Sequence, residues 1–226
     1  MSRIVNGLKI PLNLLLLCLL LSFLSANLFA AGKWSIQPSY NIGYKGFDGG
    51  KSSINISDGS RISIERFQFD AVKLGLALAI SHRINAKISL GIFSEMRFLI
   101  GSGMYLLDMS ILASSVSDES IGLGMAIGPH MYLPFAKWGL GLSPYLALDI
   151  LAVASGTITG NVFVIAGGVK ADLLLMKIRR FMLGFHAGLE LGAGMTYLSA
   201  KGKKVVLKAW MKSPSVGIYG GLSLVF

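Results

Sequence analysis

Charge is scarce in this chain. Only 14% of its 226 residues are Asp, Glu, Lys or Arg, against roughly 25% in soluble globular proteins. Apolar residues make up 53%, so the chain is not intrinsically disordered, and an ordinary soluble enzyme is not expected. Cysteine is almost missing: Cys18 stands alone, in the first thirty residues. A chain that loses it has no disulfide framework, no thiolate metal site and no cysteine nucleophile. Long uncharged runs are also rare beyond the N-terminus. Only 150–169 offers about twenty such residues, the length a membrane helix needs. Its centre, Ser155-Gly-Thr-Ile-Thr-Gly-Asn161, is a turn signal. Other segments are cut by a charge, Gly or Pro, so a multi-pass helical protein is disfavoured.

The first thirty residues have a different character. Arg3 and Lys9 precede an apolar run over 12–24, and small residues follow at Ser25, Ala26, Ala30, Ala31 and Gly32. A basic start, a short apolar stretch and a small-residue exit define a secretory signal peptide. The expected division is a signal peptide over 1–30, with cleavage after Gly32 as the alternative, and one domain over 31–226. Leu17 precedes Cys18, where a lipoprotein signal would place a small residue. Export also excludes nucleic acid as a partner. Without Arg3 and Lys9 the balance is 19 basic against 11 acidic residues, or +8.

What remains alternates with period two, the signature of a strand with two unlike faces. In 181–197 the odd positions are Phe181, Leu183, Phe185, Ala187, Leu189, Leu191, Ala193, Met195 and Tyr197. The even ones include Gly184, His186, Gly188, Glu190 and Gly192. Eight strands are expected: 34–46, 66–82, 86–101, 120–135, 139–153, 161–176, 181–198 and 214–226. In the second strand Phe67 and Phe69 are out of phase with 72–80, which a bulge near Asp70 would explain. Short turns at 83–85, 136–138 and 177–180 alternate with longer connections at 47–65, 102–119, 154–160 and 199–213. An even strand count with short turns at one end and long loops at the other fits a transmembrane barrel. In lipid a sheet must close, because an open edge leaves unpaired backbone groups. The fold class is therefore all-β, an eight-stranded antiparallel up-and-down transmembrane barrel after a cleaved signal peptide.

The last strand, Ser215-Val-Gly-Ile-Tyr-Gly-Gly-Leu-Ser-Leu-Val-Phe226, places Val216, Ile218, Leu222, Leu224 and Phe226 on one face and stops on Phe. This resembles the C-terminal signal that the barrel-assembly machinery reads in Gram-negative outer membranes. The mature chain as a whole resembles the small outer-membrane barrels typified by the OmpA membrane domain, OmpX and OmpW. The resemblance implies an outer-membrane location, outer-membrane lipid and the assembly machinery as partners, and Phe226 as the assembly signal. Members of that class are structural, adhesive, channels for small hydrophobic molecules or, in a few cases, lipid A-modifying enzymes. Fold alone does not choose among them.

Polar-face residues of an eight-stranded barrel should meet in the lumen, which is just wide enough for side chains. Lys73 and Glu95 lie at similar heights on neighbouring strands. Arg97, Asp149 and Glu190 fall in the same upper half, with Lys45 and Asp70 at its margin. Buried charges must be paired, so a structural ion network of Lys73, Glu95, Arg97, Asp149 and Glu190 that closes the lumen is the favoured reading. The alternative is an OmpW-like channel for small hydrophobic solutes, with Gly122, Gly124, Gly188, Gly192 and Gly194 leaving a narrow path.

His130 and His186 face inward near the short-turn end. His186 and Glu190 are about 13 Å apart along one strand, too far for a direct pair. No third His converges, so no metal is expected, and no cofactor. Lipid A deacylase barrels carry His-x-Ser on one strand. Here the residues are His130-Met131-Tyr132 and His186-Ala187-Gly188, so an enzyme is not expected. A serine within hydrogen-bond reach of either His would revive that reading.

The fourth long loop carries Lys201, Lys203, Lys204, Lys208 and Lys212 and no acid. It suits anionic headgroups, lipopolysaccharide phosphates or a sulfated host polymer. Trp34, Trp138, Trp210, Phe135, Phe181 and Phe226 cluster near strand ends and are expected as interfacial anchors.

Overall fold

The computed structural model describes residues 33–48, 52–55, 61–109, 112–155, 158–178, 181–200, 206–210 and 214–226. The segment 1–30, expected as a signal peptide, and Cys18 within it lie outside the described residues. The strands are β1 (Trp34–Asp48), β2 (Ser52–Asn55), β3 (Arg61–Arg83), β4 (Ser89–Met109), β5 (Leu112–Pro134), β6 (Gly139–Ser155), β7 (Ile158–Ile178), β8 (Phe181–Ala200), β9 (Val206–Trp210) and β10 (Ser215–Val225). Eight long strands pair antiparallel in chain order, and β1 pairs with both β3 and β10, which closes the sheet. β2 and β9 are short additions that pair with the upper ends of β3 and β8.

The registers fix the shape. Stepping across partners from Pro38 leads through Leu78, Ser94, Ile127, Leu146, Gly167, Leu191 and Val216 and returns to β1 at Gly46. The return point is eight residues above the start, so the shear equals the strand number. A barrel of that kind tilts its strands by about 36° and stacks inward side chains in layers of four from alternate strands. With strands about 4.8 Å apart, it is about 15 Å across, backbone to backbone.

Sequence alternation decides which face points where. The outer wall carries Ile92, Met96, Ile121, Leu123, Met125, Leu146, Ile165, Phe185 and Ile218, all exposed, with Leu146 at 69%. Their inward neighbours are buried. Exposing this much apolar surface to water is unfavourable; in lipid it is the fitting solvent. A closed sheet, apolar outside and charged inside, is a membrane-spanning barrel.

Three details differ from the sequence reading. The segment 102–119, expected as a loop, is largely the continued β4–β5 hairpin, paired as far as Met109 and Leu112. Cross-strand pairing satisfies its backbone groups, which a free loop would leave to water. Segments 47–65 and 199–213 likewise include β2 and β9. There is no bulge at Asp70: β1 and β3 pair without a break through Phe69, and the register shift lies between Ile64 and Arg66. The β5–β6 ladder is interrupted between Ile127–Leu146 and Met131–Leu142. Pro129 and Pro144 stand in that gap, and neither has an N–H to give.

Candidate functional site

The candidate site is the lumen, and it is layered. At the short-turn end Tyr132, Leu174 and Val225 form an apolar floor, with Met182 packed against them. A polar level follows, with His130, Asp172 and Ser223 on alternate strands and Ser39, Ser143, His186 and Lys170 directly above. Next come Phe93, Tyr145 and Tyr219 with five alanines. The main charged cluster lies above these rings. It is capped by Ala71, Leu99, Leu151, Val162 and Val164, each at most 1% exposed.

The charged cluster contains three cations and three anions. β4 places Glu95 and Arg97 two residues apart, hence on one face. Arg97 donates Nε and Nη2 to Glu95 Oε2 at 2.9 and 2.8 Å. Its Nη1 lies 2.9 Å from Glu190 and 3.6 Å from Asp149. Lys73 Nζ lies 3.4 Å from Glu95 and 3.5 Å from Glu190. Lys45 pairs with Asp149 and sits 2.7 Å from Glu190. Neutral groups complete the shell. Asn41 Nδ2 donates to Glu95 at 2.5 Å, and the Tyr145 hydroxyl donates to Glu190 at 3.1 Å. Lys73 Nζ stands 3.6 Å from the centre of the Tyr219 ring, a cation–π position. The structure thus brings together Lys73, Glu95, Arg97, Asp149 and Glu190, and adds Lys45.

Asp70 is not part of this cluster. It lies on the outer face, where the Tyr44 hydroxyl donates to it. The parity of β3 explains this: Lys73 and Ala71 point inward, so Asp70 points outward.

A second, smaller cluster sits lower. Lys170 Nζ lies 2.8 Å from Asp172 and donates to Ser39 Oγ at 2.8 Å. Ser223 Oγ donates to Asp172 at 2.5 Å, and His186 Nδ1 lies 2.9 Å from Ser223 Oγ. His130 Nδ1 lies 2.8 Å from Ser143 Oγ. The sequence reading anticipated neither serine. Ser143 faces His130 across the β5–β6 hairpin, 13 residues away, whereas Ser223 comes from β10, 37 residues beyond His186; neither spacing is a His-x-Ser motif.

These contacts have the residue types of a hydrolase but not its wiring. A nucleophilic serine gives its proton to a histidine that an acid orients from the far side. Here Ser223 gives its proton to Asp172 directly, and His186 is the outer member. His186 Nε2 and Asp172 Oδ2 have no protein partner. Ser143 and Ser223 are both 0% exposed. Among the described residues no group of His, Cys, Asp and Glu has metal-binding geometry.

Glycines make room for the large lumen residues, which is the small/large alternation a narrow barrel requires. A Cβ on Gly188 would run into the Tyr219 ring, on Gly168 into Tyr145, on Gly124 into Asp149, on Gly75 into Glu95 and on Gly217 into Glu190. Gly122 faces Leu151, and Gly192 faces Ser215. At these seven positions the space a glycine leaves is already occupied.

Of the basic loop, Lys208 lies on β9, paired with Tyr197. Lys201, Lys203, Lys204 and Lys212 lie outside the described residues. Among the aromatic anchors, Trp34, Phe135 and Trp138 are exposed at the short-turn rim. Phe135 and Trp138 stack at 3.9 Å, and the rings of Phe181 and Phe226 are 6.0 Å apart. Phe226 N donates to Ile36 O at 3.0 Å, so the last residue helps close the sheet on β1.

No family model matches the chain, and no curated protein matches it in sequence. Among solved structures the chain is similar to the outer membrane protein OprG from Pseudomonas aeruginosa. That match has 11% identity and a TM-score of 0.47, over 87% of this chain and 96% of that one. It is also similar to Neisserial surface protein A, at 16% identity and a TM-score of 0.33 over 84% and 95%. A third is the outer membrane protein AlkL in lipid bilayers, at 15% identity and a TM-score of 0.39 over 86% and 90%. By its own geometry the chain is a small eight-stranded transmembrane barrel.

Proposed function

We propose that this protein is a non-enzymatic structural barrel of the outer membrane, its lumen sealed against ions and its long-loop end presented outward for binding. One observation carries the reading: four lumen cations, Lys45, Lys73, Arg97 and Lys170, meet four lumen anions, Glu95, Asp149, Asp172 and Glu190, and all eight are buried. Burying an unpaired charge is costly, so such a balance holds a dry, closed section together. A conducting lumen needs the opposite, charges that water and ions can reach. The filled glycine positions support the seal over a narrow hydrophobic path. Ser223 gives its proton to Asp172 and not to His186, and Ser143, bonded to His130, is fully buried like Ser223; both observations support a role without catalysis.

Two further roles belong to the same reading. Phe226 serves as the signal for the barrel-assembly machinery. Lys201, Lys203, Lys204, Lys208 and Lys212 offer a cationic surface for anionic headgroups or host polymers.

The test is conductance of the mature protein refolded into a planar bilayer. A silent bilayer, with folded protein verified by its heat-dependent gel mobility, is expected. Steady, reproducible channels would mean that the lumen is a path and that the ion cluster lines it.

A further inference from the structure

The net charge of this protein is concentrated at one rim. With Arg3 and Lys9 set aside, 19 cations face 11 anions. The lumen contributes nothing, because its eight charges cancel. At the long-loop end, eight cations stand against seven acids by sequence position. Nearly all of the excess therefore falls at the short-turn end. There Lys33, Arg83, Lys87, Lys137 and Lys177 are all exposed, and no acidic side chain accompanies them among the described residues. Arg179 and Arg180 join Ile178 to Phe181 in the sequence; they lie outside the described residues and are not counted in the site.

Local structure fixes where these cations stand. Arg83 N donates to Lys33 O at 2.7 Å, which sets the two residues side by side on adjacent strands. Asn85 Oδ1 accepts from the amides of Lys87 and Ile88 at 2.8 and 3.0 Å, an Asx turn that shapes the β3–β4 connection. Lys137 sits in the turn between Phe135 and Trp138, whose rings stack. Lys177 is the penultimate residue of β7, paired with Met182. The set spans the ring from β1 to β7.

A girdle of aromatics lies immediately beside it: Trp34, Phe135 and Trp138, each 39–49% exposed. Aromatic residues of this kind sit at headgroup level. Lys33 and Lys137 adjoin these aromatics directly in the sequence, and cations beside a headgroup-level girdle are within reach of lipid phosphates. They repel one another, and among the described residues no acidic side chain stands beside them, only the carboxylate of Phe226 at the end of β10, so five exposed cations draw most of their counter-charge from the surroundings. We propose that this rim is a binding surface for anionic glycerophospholipids, of the phosphatidylglycerol class, in the leaflet that meets the short turns.

The experiment uses the protein purified from outer membranes, with Trp210→Phe so that only Trp34 and Trp138 report. It is placed in phosphatidylcholine vesicles containing an equal share of either brominated phosphatidylglycerol or brominated phosphatidylcholine. Tryptophan quenching should be stronger with the anionic lipid and should weaken as salt is raised. Lys87→Gln and Lys137→Gln, in exposed turns, should each lower the relative association constant about two- to fivefold. Combining them with Lys33→Gln, Arg83→Gln and Lys177→Gln should abolish the preference. Equal quenching by the two lipids in the unsubstituted rim overturns the proposal. So does a preference that both single substitutions leave unchanged, or one that disappears when the five loop lysines, 201 to 212, are neutralised instead.

Discussion

Arg97 Nη1 and Glu190 Oε2 are 2.9 Å apart, yet they project from β4 and β8, which lie on opposite walls of the barrel. Three strands lie between them whichever way the sheet is followed. Two side chains that meet from opposite walls span the full section.

Removing one end of that span leaves a buried charge without its partner. Arg97→Met leaves three carboxylates to two cations in the upper cluster. It is expected to lower unfolding stability by about 3–5 kcal/mol, measured by urea titration in lipid vesicles. Arg97→Met with Glu190→Gln restores neutrality and should recover part of the loss. A double variant weaker than the sum of the two singles would contradict the balanced-cluster account.

Opening the section requires removing bulk as well as charge. Arg97→Gly together with Glu190→Gly is expected to produce measurable single-channel currents where the parent gives none. Continued silence in a folded double variant would move the seal to another level, the Phe93, Tyr145 and Tyr219 layer.

Two glycines on neighbouring strands make a matched pair for testing how tightly the interior is filled. Gly188→Ala drives a methyl into the Tyr219 ring and should cost about 1–3 kcal/mol. Gly167 faces outward with nothing within 4 Å of an added Cβ. Gly167→Ala should stay within about 0.5 kcal/mol of the parent. Equal stabilities for the two variants would show a looser lumen than described.

The two histidine-linked serines offer a chemical check. The folded protein should not be labelled by a fluorophosphonate at Ser143 or Ser223 and should show no ester hydrolysis. Ser223→Ala should instead cost about 1.5–3 kcal/mol of stability, because its hydroxyl bonds a carboxylate. Labelling at either serine would mean that the lumen opens.

The architecture was legible because membrane strands must alternate, and here they do from β1 to β10. The strand ends were less so. In 102–119 the period-two apolar pattern fades in the sequence even though the backbone still pairs. Charged residues that line the lumen could be assigned a face from parity, and Lys73 and Glu95 share neighbouring strands, which made their contact foreseeable. The bonds of His130 to Ser143 and of His186 through Ser223 to Asp172 were hidden for a different reason. Serine alternates with the apolar outer residues as an ordinary small inward residue, and only the registers between strands bring it to a particular histidine. Asp70 was ambiguous because it stands at the edge of the apolar band, where either face tolerates an acid beside Tyr44.

Pro129 and Pro144 face each other across the interrupted β5–β6 ladder, and the His130–Ser143 bond crosses that same gap from the lumen side. The wall at this seam is held by a side-chain stitch in place of three rungs of backbone pairing. Amide protons flanking it, at Ile127 and Met131, should therefore exchange with deuterium sooner than those at matched depth on other strands, and the barrel should begin to unzip there when it is loaded mechanically.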